Sequence, residues 1–153
     1  MRLLGVMIVG LMGGMLMCAR TMVAEKIKCS PEQVTKMEDD STRVRSWALL
    51  HKMFVVYRAC APDDGVIVQG ASHSVARLLV DSWSKLPEGA QLMQKDAEFR
   101  KFVLAGINAT VADDDLKTIK EKSEQACPAG GQGLCAEIEQ AADEALKAGT
   151  SPE

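Results

Sequence analysis

Histidine is nearly missing from this chain: His51 and His73 are the only two in 153 residues. Both lie far in sequence from any cysteine, and no C-x2-C or H-x3-H element occurs, so the spacing excludes a zinc site. No stretch alternates apolar and polar residues as a strand does. A periodicity of three to four dominates instead, which makes the expected class all-α. A phosphate loop is absent too, because Gly130-Gly131-Gln132-Gly133 follows no strand and lacks the lysine. Nor is there an internal repeat or a low-complexity segment. The formal charge is −3, and an acidic chain of this kind argues against nucleic acid as a partner.

What is present begins at the N-terminus. Arg2 gives a positive start and Leu3 to Met17 is an uninterrupted apolar run without charge, the pattern of a secretory signal peptide over residues 1–24. The run is shorter than the roughly 20 residues a membrane-spanning helix needs, so no permanent anchor is expected. Ala24 is small enough to precede the cut, although Met22 is large for the position two earlier. Cys18 offers a rival, a lipidated N-terminus, but Met17 is bulkier than the small residue such a site takes. Removal of the segment takes away six of the nine methionines with Arg2 and Arg20, and the formal charge moves from −3 to −5. The methionine richness therefore says nothing about copper binding. One domain over residues 25–148 is expected, with a disordered tail over 149–153. Export implies an oxidising, periplasmic compartment.

There the four remaining cysteines, Cys29, Cys60, Cys127 and Cys135, are expected to pair. Cys127 and Cys135 flank a glycine-rich loop able to turn back, which favours a local bridge. Elimination then pairs Cys29 with Cys60.

Five to six helices are expected in a single disulfide-bridged domain. Ser30-Pro31-Glu32-Gln33 combines a capping serine, a proline at the first position and glutamine at the capping-box position. A break or bend is expected within Glu38 to Thr42. The second helix, from Thr42 to Cys60, carries Val44, Trp47, Leu50, Phe54 and Tyr57 on one stripe, widened by Leu49, Met53 and Val56. A face that wide implies burial on more than one side. The Pro62-Asp63-Asp64-Gly65 turn ends it. A third helix starts at Ser72 or His73 and halts at Pro87. Further helices are expected over Asp96 to Ile107, from Asp113, and over Leu134 to Lys147; Glu88 to Gln94 can add a short helix, and Val66 to Gln69 a helical turn. Gly106 is small enough to admit a neighbouring helix, and Asp113-Asp114-Asp115 complements a positive helix end. Leu116, Ile119, Ser123 and Ala126 are expected to face inward.

No catalytic constellation emerges. His51 sits mid-helix and His73 near a helix start, neither beside a nucleophile in a triad pattern. Asp63-Asp64 and Asp113-Asp114-Asp115 are adjacent acids, which serve as caps rather than an acid/base pair and lack the calcium-loop pattern. No cofactor is implied, and the expectation is a protein that is not an enzyme. Arg43, Arg45, Lys52 and Arg58 make the second helix basic, with no acid between Ser41 and Pro62. They are expected to be a solvated edge or to form salt bridges to the acidic last helix, with Glu137, Glu139, Asp143 and Glu144; the alternative is a partner-binding surface, where arginine is favoured. Asn108-Ala109-Thr110 matches a glycosylation acceptor.

From Trp47 to Cys127 the order of features is a helix ending in a cysteine, the Asp63-Asp64 turn, a helix with Leu78-Leu79 and Trp83, a Phe99-x-x-Phe102-Val103-Leu104 helix, then Asp115-Leu116-x-x-Ile119. This order resembles the small periplasmic immunity proteins that neutralise type VI secretion amidase effectors, and a related group of exported helical proteins. The resemblance implies a helical protein, often a homodimer, that blocks a peptidoglycan amidase by pushing a loop into its cleft. By position, the loops are Lys85 to Gly89 and Asn108 to Asp114. Lys85, Leu86, Pro87, Glu88, Asn108, Asp113 and Asp114 are thus the expected contact residues for a protein partner. A non-catalytic envelope accessory or chaperone-like protein is the alternative, and it needs a standing apolar groove.

One mass measurement tests the exported, oxidised state. Protein recovered after expression of the full chain should have the intact mass of a chain starting at Glu25, less the hydrogens lost in two bridges. An intact Met1 on a fully reduced chain would refute both expectations.

Overall fold

The computed structural model describes residues 29–58 and 65–149. The expected signal segment 1–24 with Cys18, the cysteine at 60, the acids at 63 and 64, and tail residues 150–153 lie outside the described residues, as does the side chain of Tyr57. Helix α1 (Pro31–Arg43) opens on the capping box expected from the sequence. Ser30 N donates to Gln33 Oε1 at 2.8 Å while Gln33 N donates to Ser30 Oγ at 3.3 Å. The expected break does not occur. Ser41 Oγ and Thr42 Oγ1 donate to the carbonyls three residues back, at Glu38 and Asp39, so these hydroxyls join the helix rather than end it.

The chain leaves α1 at Val44 in extended backbone, and Ser46, also extended, caps α2 (Trp47–Tyr57) by accepting from Leu49 N. That cap moves the start of α2 from the expected Thr42 to Trp47. Helix α3 (Gly65–Asp81) begins well before Ser72, so Ser72 and His73 lie inside it. Ser72 caps nothing there: it is buried and its Oγ accepts from Asn108 Nδ2 at 2.9 Å. After a 3-10 turn at Trp83–Lys85, Pro87 stands in the first turn of α4 (Leu86–Lys95). Proline therefore opens a helix here instead of halting one, since its missing N–H is not needed in a first turn.

Asp96 caps α5 (Ala97–Ala105), its Oδ1 accepting from the backbone N–H of Glu98 and Phe99. Three aspartates fill the first turn of α6 (Asp113–Gln125), and α7 (Gln132–Gly149) returns against it. Cys127 and Cys135 are bonded across the intervening loop, where Gly130 takes a φ of 78° that favours glycine. Closing a loop this short contributes about 2–3 kcal/mol through chain entropy. Cys29 is also disulfide-bonded.

Seven α-helices and no strand are thus present among the described residues, against five to six helices expected. They share one core, and α3 is at its centre. It packs on α1, α2, α5 and α6, and Val75, Leu79 and Ser74 on it are completely buried. Small groups set the closest crossings. Ser74 Oγ reaches Ser41 O at 3.0 Å, and a Cβ on Gly106 would lie 2.9 Å from Val75 Cγ2, the close approach expected of that glycine. Leu116, Ile119 and Ser123 of α6 face the core. Ala126 does not: it is exposed, and its carbonyl accepts from Trp83 Nε1 at 2.8 Å.

Gly89 makes the tightest contact, because a Cβ there would stand 2.5 Å from Cδ2 of the buried Trp47 ring. Two buried partners leave no room to yield. Overpacking of this kind costs about 1–3 kcal/mol, more than the roughly 1 kcal/mol alanine gains over glycine in a helix. Gly89→Ala should therefore lower the urea midpoint. Gly133→Ala, in α7 with open space around it, should raise stability by about 0.5–1 kcal/mol. Equal midpoints for wild type and Gly89→Ala would refute the packing.

Candidate functional site

One face of α2 enters the core and another does not. Trp47, Leu50, Met53 and Phe54 are buried, whereas Leu49, Val55 and Val56 are 48%, 42% and 57% exposed. The wide apolar face is therefore not buried on several sides as its width suggested. Of the three residues expected to widen the stripe, only Met53 is covered. Leu49 and Val56 line a groove of about 340 Å³ between α1 and α2, with Val44 and Met53 also in its lining.

The groove has a basic rim of Lys36, Arg43 and Lys52, with Asp40 as its one acid. Lys36 pairs with Asp40 at 2.9 Å. Arg43 and Lys52 make no ion pair among the described residues. The other two arginines near α2 are engaged. Arg45 Nη1 donates to the carbonyls of Thr42 and Val44 at 2.7 and 2.8 Å, and Arg77 of α3 donates to the same Val44 oxygen. Burial, and then the neighbouring Arg45, hold the Arg77 pKa below its ordinary value. Arg58 lies 3.5 Å from Asp96 and covers the Phe54 ring.

The salt bridges expected between α2 and the last helix do not form among the described residues, because α7 packs on α5 and α6. Arg100 grips Glu137 with two hydrogen bonds of 2.7 and 2.9 Å, and Lys120 reaches Asp143 at 2.6 Å. A second groove, about 620 Å³, runs between α5 and α7 with Leu104, Ile107, Ala141 and Ala145 among its lining and Glu137 and Glu144 at its edge.

The residues expected to contact a partner fall into two separate places. Lys85 and Glu88 are exposed and paired at 3.4 Å, Pro87 is exposed, and Leu86 is core. That stretch is a 3-10 turn and helix start rather than a loop. It lies by the C-terminal end of α6, where Lys122 Nζ donates to Val80 O. Asn108 is tied by its amide to Ser72 and Ala105, and its Oδ1 accepts from Thr110. Asp113 and Asp114 are exposed at the opposite end of α6, Asp114 paired with Lys117. The thirteen residues of α6 separate the two places by about 20 Å at helical rise. One loop insertion cannot use both.

His51 shares a 3.2 Å hydrogen bond with Asp96 Oδ2 and meets the Phe99 ring edge-on at 4.7 Å. Together with Phe54 and Phe102 this builds an aromatic wall between α2 and α5. His73 is exposed on α3. No group of three metal-ligating side chains, and no helix long and apolar enough to cross a membrane, occurs among the described residues. In sequence, Leu49 and Val56 are readable as apolar and Lys52 as basic; that they share one open groove with Arg43 follows only from the fold.

The Asp96 pKa is held down by the Phe99 backbone N–H first, then by His51 and Arg58, against the opposing effect of partial burial. A depressed carboxylate contributes stability above its ordinary pKa and loses it as pH falls through the folded value. Asp143 behaves alike, through Lys120. Urea midpoints should thus drop on acidification from about pH 4 downward. Asp96→Asn should lower the midpoint at neutral pH and flatten that acid fall, while an unchanged acid limb would refute Asp96 as its source.

Comparison with known proteins finds no matching family model, no matching curated protein and no matching solved structure.

Proposed function

We propose that the protein is a non-catalytic inhibitor that works outside the cytoplasm, binding a toxic cell-wall hydrolase of the amidase type and keeping it from the producing cell's own wall. The observation that carries the binding role is the exposed apolar pair Leu49 and Val56 inside a basic-rimmed groove. Apolar surface of this kind, rimmed by polar residues, marks interaction sites. The compartment follows from the N-terminal pattern and the cysteine pairing, and the hydrolase as target follows from the resemblance to immunity proteins. Such a role requires a fixed shape more than reactive side chains, and a stapled helical scaffold supplies it.

The 620 Å³ groove between α5 and α7 favours a second reading, an envelope accessory or chaperone-like protein, which needs a standing apolar groove. The two differ in selectivity. An inhibitor binds one folded enzyme, and a chaperone binds many unfolded clients.

Co-expression distinguishes them. Cells that export a wall-degrading toxin encoded beside this gene should survive when they also make this protein. Lysis that proceeds unchanged despite its accumulation in the envelope would end the inhibitor reading.

A further inference from the structure

We propose that the α1–α2 groove is the partner-binding site and that its occupant is an amphipathic helix of another protein, with acidic side chains flanking large apolar ones. The proposal rests on the binding role above and names the chemistry of the partner. Leu49 and Val56 are seven residues apart on α2, two turns along one face, with Lys52 between them in the same groove. They are therefore separated by about 10 Å along the axis. A helix carrying apolar anchors at i, i+3 or i+4, and i+7 matches that repeat.

Charge selects the kind of helix. The chain as a whole is acidic at −3, yet the groove brings Lys36, Arg43 and Lys52 together against Asp40 alone. Arg43 and Lys52, which make no ion pair among the described residues, face an incoming surface. Acids on the occupant meet them, which fixes orientation and speeds encounter.

Other occupants fit less well. A second copy docked face to face would set Lys52 and Arg43 against their own equivalents, a like-charge juxtaposition that disfavours the pairing. A lipid surface suits a protruding face with aromatic anchors at the headgroup level. Here the apolar side chains line a concavity, and both tryptophans are in the core.

The test uses two synthetic helical peptides of equal length with the same leucine face, one flanked by glutamates and the other by lysines. Fluorescence anisotropy with the full chain, expressed for export and recovered folded, should show saturable binding of the glutamate peptide, at least about tenfold tighter than the lysine peptide and weakened by salt. Val56→Gln, at an exposed position, should weaken it while leaving the circular dichroism unchanged. Reversal of the rim with Arg43→Glu and Lys52→Glu should invert the preference between the peptides, a change that loss of structure cannot produce. Equal affinities, or a preference that survives the reversal, would overturn the proposal. So would phosphatidylglycerol vesicles that compete with the peptide, or self-association that Val56→Gln abolishes. If toxin protection persists in Val56→Gln while peptide binding fails, the groove is wrong and the inhibitor reading stands. If peptide binding holds while the wild type gives no protection, the reverse follows.

Discussion

The structure depends on burying α3 among four other helices. A helix enclosed on several sides must meet each neighbour with a side chain small enough for the approach, and α3 does so with serine and valine. Ser74 sits against α1 and spends its hydroxyl on the carbonyls of Ser41 and Gly70. Val75 fills the space that Gly106 leaves on α5. Ser72 takes the Asn108 amide, which fixes the start of the loop between α5 and α6. A larger side chain at Gly106 or Ser74 would push a helix outward, and the rest of the core would follow because interiors are close-packed.

That arrangement decides what α2 can cover. Its inner residues are covered by α3, α4 and α5: Trp47 lies on Gly89, and Phe54 reaches Phe99 and Phe102 at 5.5 and 5.1 Å. Among the described residues α1 is the helix that lies against the outer face, and it leaves a groove. The apolar width of α2 thus exceeds what the other described helices bury. Exposure of Leu49, Val55 and Val56 is the geometric consequence of a core already filled, and apolar surface left in water in this way favours association.

Features set by neighbouring residues are legible in the sequence itself. The capping box at Ser30 and Gln33, the aspartates heading α6 and the Cys127–Cys135 bridge each depend on a few adjacent positions, and each is present as expected. Pro87 is ambiguous because proline before a helix and proline after one give the same local signal. The start of α3 is only partly legible, since the β-branched run Val66-Ile67-Val68 has weak helix preference and reads as a turn rather than as the opening of a long helix. The partners of Glu137 and Asp143 have no local signal at all. Which helix lies beside α7 is a fact of topology, and the basic residues of α2 are no worse candidates in sequence than Arg100 or Lys120. For the groove, periodicity reports that a face is apolar but not what covers it.

The groove is also held in shape by groups that do not line it. At the α1–α2 junction the last turn of α1 and the extended Val44 leave carbonyls without helical partners, and Arg45 and Arg77 take those of Thr42 and Val44. Arg77 reaches them from α3, so the junction is clamped to the central helix. Burial first, and then the neighbouring Arg45 guanidinium, lower the Arg77 pKa, and charge-assisted bonds to carbonyls offset the cost of bringing both groups to one turn. With its walls fixed in this way, the groove need not be ordered when a ligand arrives. Pre-organisation lowers the entropic cost of association, so a small patch of two apolar side chains and two cations becomes a sufficient site.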